Sequence, residues 1–236
     1  QVVTSQGGSI AITADHDVTN DVGVTTGDVT SNGGAIVLTA DANGGGPGGN
    51  NNGTIQMQGD IAAGAGTLTF SLADCDGWLG AAAPTGDGEI LSASNVIKNG
   101  SGALRLNGAA NTSSGSTTVN SGYLLVNGTL TLTQSPAMVY GSNTADGTLG
   151  GTGTINAAGG LTVDGTGRVD PGDVSSGCAP QPGILTVNGN VKFDPGAVAG
   201  KCLSGRWATL PGTMVTYRLN LEAPVAGARL GVRHLG

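Results

Sequence analysis

Gly7-Gly8-Ser9-Ile10-Ala11-Ile12-Thr13-Ala14-Asp15 returns as Gly33-Gly34-Ala35-Ile36-Val37-Leu38-Thr39-Ala40-Asp41, at an offset of 26 with six of nine positions identical. A weaker third copy ends in Phe70-Ser71-Leu72-Ala73-Asp74. The alternation puts every second side chain on one face, as in a short strand with one face inside. Hairpin partners run antiparallel and have no reason to resemble each other when read in the same chain direction. Successive coils of a solenoid do, because like stacks on like at the strand spacing of about 4.8 Å.

Other copies extend the pattern. Leu104-Arg105-Leu106-Asn107-Gly108 returns as Leu124-Leu125-Val126-Asn127-Gly128, at an offset of 20. Leu161-Thr162-Val163-Asp164-Gly165, leading to Asp170-Pro171-Gly172, returns at an offset of 24 as Leu185-Thr186-Val187-Asn188-Gly189 and Asp194-Pro195-Gly196. Asn-Gly occurs seven times in the chain; both residues tolerate positive φ and allow sharp corners. These offsets predict an all-β parallel β-helix with coils of about 20–26 residues. The alternative is a β-sandwich, in which each Asn-Gly would mark a tight hairpin.

Composition agrees. Of 236 residues, 45 are Gly, 27 Thr and 17 Asn, while aromatics are 3% and charged residues 11%. An average globular domain carries roughly 25% charged residues, and long amphipathic helices need rows of Ala, Leu, Glu and Lys. Net charge is −7, and ten of the sixteen acids lie in the first hundred residues beside one base, Lys98. Nothing there offers a basic stripe to a phosphate backbone, so nucleic acid is not an expected partner. No apolar run approaches the ~20 residues of a membrane helix, so no transmembrane segment is expected. The opening Gln1-Val2-Val3 is read as following a removed signal peptide or as part of a longer polypeptide, the second being expected.

Three regions are expected: coils over 1–95, further coils over 96–222, and a frayed or truncated tail over 223–236. Residues 43–53 read as a polar Gly-rich loop. Residues 74–88, with Cys75, Trp78 and Pro84, read as a protruding loop, and 173–183 and 197–213 as insertions after each Asp-Pro-Gly.

Residues 96–196 resemble the autotransporter-associated β-strand repeat of bacterial surface proteins. The resemblance is carried by Gly102-Ala103-Leu104-Arg105-Leu106-Asn107-Gly108, Asn111-Thr112, Gly115-Ser116-Thr117-Thr118-Val119 and Gly122-Tyr123-Leu124-Leu125-Val126-Asn127-Gly128. The family pattern places an aromatic after Asn-Thr, where this chain has Ser113. The resemblance implies a right-handed β-helical stalk on a secreted or outer-membrane-associated protein, and it implies no catalytic residues. The expected function is a structural, adhesin-like segment that presents loops for weak multivalent binding to glycans or extracellular matrix. A self-assembling filament or surface-layer element is a further alternative.

The residues that bear chemistry are few. The expected contact residues are Asn50, Asn51 and Asn52 in the Gly-rich loop, and Trp78. Cys178 and Cys202 are separated by the same offset as the flanking repeat. In-register coils would bring their Cα atoms to about 5 Å, inside the disulfide range, so a bridge is expected with free thiols as the alternative. Asp15-His16-Asp17 reads as a solvated turn, because neighbours on a strand face opposite ways. Asp41-Ala42-Asn43-Gly44 and Asp170-Pro171-Gly172-Asp173 read as capped turns rather than calcium loops, since the EF-hand pattern and the Gly-Gly-x-Gly-x-Asp nonapeptide are both missing. No cofactor or metal is expected. An enzyme is the minority reading: a carbohydrate-active β-helix would need two carboxylates about 5–9.5 Å apart, with Asp74, Asp76, Asp87 and Glu89 beside Trp78 as candidates.

Overall fold

The computed structural model describes residues 2–15, 17–19, 28–40, 53–74, 76–80, 88–133, 137–141, 147–165, 167–175, 179–193 and 216–217. Short strands follow one another around a three-faced coil. The first coil holds β1 (Val3–Thr4), β2 (Ile10–Thr13) and β3 (Val18–Thr19). The second holds β4 (Val29–Thr30), β5 (Ile36–Thr39) and β6 (Ile55–Met57), and the third β7 (Ile61–Ala62), β8 (Thr67–Ser71) and β9 (Gly77–Leu79). The fourth holds β10 (Ile90–Ser92), β11 (Asn95–Asn99) and β12 (Ala103–Leu106). The fifth holds β13 (Asn111–Ser113), β14 (Thr117–Val119) and β15 (Gly122–Val126), and the sixth β16 (Thr129–Leu132), β17 (Ala137–Gly141) and β18 (Gly147–Gly151). The seventh holds β19 (Thr154–Ala157), β20 (Leu161–Gly165) and β21 (Arg168–Val174), to which β22 (Pro180–Pro182) is added. Then come β23 (Thr186–Asn188), β24 (Val191–Phe193) and β25 (Thr216–Tyr217).

The first face is a four-stranded sheet, β1-β4-β7-β10, succeeded by the five-stranded β13-β16-β19-β23-β25. The second face is the eight-stranded β2-β5-β8-β11-β14-β17-β20-β24, and the third is β3-β6-β9-β12-β15-β18-β21-β22. Among the described residues every pairing is parallel except β21 with β22. This is a parallel β-helix, not the alternative sandwich. The first repeat stacks as expected, Ile10 on Ile36 and Ile12 on Leu38, and Phe70 follows on Leu38. The Leu104 repeat does too, Leu104 on Leu124 and Leu106 on Val126.

Inward side chains form vertical columns. One runs Leu38, Phe70, Lys98, Val119, Val139, Val163 through successive coils of the second face. The buried apolar cluster is continuous from Val18 to Val187. At the coil corners backbones approach closely: a Cβ on Gly128 would fall on the carbonyl oxygen of Gly108, and one on Gly153 on that of Gly128. Only glycine fits such a column.

Three expectations are corrected. The Leu161 and Leu185 copies do not stack on each other. Leu161 of β20 pairs with Val191 instead of Leu185, while Thr186–Asn188 lies on the first face against β19. The short strands Leu-Thr-Val fit any face of the coil, so likeness in sequence does not fix the face. Residues 74–88 are not wholly a protruding loop, because Gly77–Leu79 is a central strand paired on both sides. Gly77 and Leu79 are buried and Trp78 is half-buried, the alternation of a strand only three residues long. The expected insertion after Asp170-Pro171-Gly172 is not separate from the coil, because its described residues fold back over the third face.

Candidate functional site

The outer side of the third face carries one register row: Gln56, Trp78, Arg105, Leu125, Gly150, Asp170. Each sits one strand spacing, about 4.8 Å, from the next. Trp78 alternates with the buried Gly77 and Leu79, which places its indole on the outer face between Gln56 and Arg105. The Gln56 amide is fixed by donating to the Asp76 carbonyl at 3.2 Å. A second outer row sets Ala103, Tyr123, Thr148 and Arg168 side by side. A third ends in an asparagine ladder, with Asn127 Nδ2 donating to Asn107 Oδ1 at 3.1 Å and Asn107 Nδ2 to the Gly80 carbonyl at 2.9 Å.

Residues 171–174 leave the sheet at a register shift opposite Gly151 and pass back over this face. The missing side chain of Gly150 makes room, since a Cβ there would press on the Asp170 carbonyl and on Leu125. β22 pairs antiparallel with this segment, Asp173 opposite Gln181, and the two form a strap. Arg105 Nε donates to Asp173 Oδ1 at 2.8 Å, and its Nη2 donates to the Val174 carbonyl. Asn127 Nδ2 donates to Asp173 Oδ2 at 2.9 Å, and the Val174 N–H to Asp173 Oδ1 at 2.6 Å. Val174 covers Ala103 and Leu125 in a small second core with Tyr123 at its rim. Leu125 points outward yet is 1% exposed, because the strap covers it. A shallow cleft remains between Tyr123 and Leu125 on the sheet and Pro171, Asp173 and Gln181 on the strap.

Of the expected contact residues, Trp78 is on this face. Asn50, Asn51 and Asn52 lie outside the described residues; in sequence they stand just before β6, the strand that carries Gln56. All three cysteines, and so the expected Cys178–Cys202 bridge, also lie outside the described residues, as do His16, Asp41 and Asp87. Asp74 and Asp76 precede β9 and Glu89 follows it, so the candidate acids stand at opposite ends of that strand. Glu89 Oε1 accepts the Ala110 N–H at 2.8 Å, closing a coil corner. The carboxylate of Asp173 is occupied by an arginine, an amide and a backbone N–H, which suits a turn brace rather than a cation ligand. Among the described residues no group of three or more His, Cys, Asp or Glu is placed to hold a metal.

Two buried polar residues escape a reading by alternation. Lys98 is fully buried in the apolar column, with Nζ donating to the carbonyls of Asn99 at 2.7 Å, Gly100 at 3.0 Å and Ser121 at 3.4 Å. Burial lowers its pKa from 10.5 to about 7. Asn111, also fully buried, accepts the Ile90 N–H at 3.0 Å and donates to the carbonyls of Gly108 at 3.0 Å and Thr129 at 3.1 Å.

Residues 96–126 match the family model described as passenger-associated-transport-repeat. The chain carries an autotransporter-associated repeat. This passenger repeat extends from β11 to the end of β15 and contains Lys98, Arg105, Asn111 and Leu125. The chain is also 43% identical over 68 residues, 29% of its length, to the adhesin BmaC autotransporter of Brucella suis biovar 1 (strain 1330). It spans about 2% of the length of that relative. No solved structure matches. No helix among the described residues is long and apolar enough to cross a membrane, which says nothing of a β-barrel. Both similarities are thus to autotransporter sequences, one to a passenger repeat and one to an adhesin.

Proposed function

We propose that this segment is a rigid stalk that presents the outer third face, centred on Trp78, to surface glycans by weak multivalent contact. The observation that carries this reading is the half-buried Trp78 on a paired strand, flanked in register by Gln56, whose amide donates to the Asp76 carbonyl, and by Arg105. An aromatic plane with polar groups at its edges suits a pyranose ring, which has an apolar face and a hydroxyl rim. A rigid strand also spends little entropy on ordering the site.

The test is a glycan array probed with the whole chain and with Trp78→Ala, each displayed multivalently. Binding should fall about tenfold or more in the variant, with an unchanged far-ultraviolet circular dichroism spectrum. Equal binding by both proteins removes the third face as the contact surface. No binding by the native chain removes glycans as the ligand class.

A further inference from the structure

We propose that the strap is a clamp that ties the fourth coil to the seventh, so that coils four to seven open as one unit. A solenoid coil ordinarily contacts only its neighbours, and its stability is a sum of local terms. Among the described residues the backbone ladders obey that rule, joining each coil to the next. Arg105 and Asp173 do not: they are 68 residues apart and belong to the fourth and seventh coils. The strap also holds the fifth coil, through Asn127 on Asp173 and Leu125 under Val174.

The clamp is partly dry. The side chains of Arg105 and Asp173 are 14% and 30% exposed, and Val174 is 6% exposed. Arg105 uses two donors on the strap, Nε to the carboxylate and Nη2 to the Val174 carbonyl, which fixes its plane. To separate β12 from β15, the chain must therefore first release a segment anchored beyond β18. The passenger repeat lies inside the clamped unit, and its Arg105 and Leu125, with Asn127 just after it, provide the lower half of the contacts.

Hydrogen exchange on the whole chain, followed by mass spectrometry, tests this. In the native chain, amides of β12, β15 and β21 should open with a shared free energy, distinct from those of β5 and β8. Arg105→Gln should accelerate exchange in β12 and β15, as well as β21, by about tenfold, and leave β5 and β8 unchanged. Asp173→Asn, altered only on the strap, should do the same. If Arg105→Gln also exposes β5 and β8, the Asp173→Asn result alone decides. Acceleration confined to residues 171–174 and 180–182, or no acceleration at all, overturns the clamp.

Discussion

Lys98 shows how a single residue sets a pH response. Its neighbours in the column are Phe70 on one side and Val119 on the other, and its ammonium meets three backbone carbonyls but no carboxylate among its bonded partners. Those carbonyls satisfy its protons, yet burial still penalises the charge, and its pKa falls from 10.5 to about 7. Below pH 7 both folded and unfolded chains hold the proton, and the penalty is fully present. Between about 7 and 10.5 the unfolded chain holds more protons than the folded one, so stability rises with pH. The slope reaches up to about 1.4 kcal/mol per pH unit. Urea unfolding at pH 7, 8 and 9 should show this rise in the native chain and its loss in Lys98→Met. Parallel pH profiles for the two proteins would refute the assignment. Thr117, in the other column of the same face, has the opposite fault: it is 1% exposed and its hydroxyl has no hydrogen-bond partner.

At the scale of elements, Asn111 joins two sheets that do not continue each other by backbone ladder alone. The sheet ending at β10 gives way to the one starting at β13, and the Asn111 amide bonds backward to Ile90 and forward to Thr129. Removing it takes the partner from the Ile90 N–H and from the Thr129 carbonyl in a buried corner, while the Gly108 carbonyl keeps the Thr129 N–H at 3.2 Å. Asn111→Ala should therefore cost about 3 kcal/mol in denaturant unfolding, whereas Thr112→Ala, on the half-exposed outer side, should stay within about 0.5 kcal/mol. Equal costs at both sites would show that Asn111 is no more than a corner filler. Asn111 also marks what was legible in the sequence. Its Asn-Thr pair belonged to the quoted repeat, but alternation alone reads an inward Asn as polar and solvated. The columns Ile10–Ile36 and Leu104–Leu124 were legible because strand and offset repeat together. The face of Thr186–Asn188 was not, because so short a strand, arriving after a longer coil, has no unique register. The strap was invisible for another reason: a bond between residues 68 apart leaves no local pattern.

For the whole molecule, stacking means that the coil, not the residue count, is the unit that can be removed. Asn107 and Asn127 occupy equivalent corners, each followed by glycine, so deleting residues 108–127 joins Asn107 to Gly128 and recreates the same Asn-Gly corner. β16 would then follow β12, β17 would stack on β11, and β18 on β12, each pair meeting face to face with its inward side chains still inward. The clamp would not survive, because Leu125 and Asn127 are lost and Asp173 stands one coil too close to Arg105. The shortened chain should keep its β-sheet circular dichroism and melt cooperatively, at a lower temperature than the native chain. Deleting only residues 108–117 removes about half a turn of the coil. It forces every later strand onto the wrong face and exposes the apolar columns, so that chain should be unfolded or aggregated. If the two deletions behave alike, register stacking of whole coils is not what organises this protein.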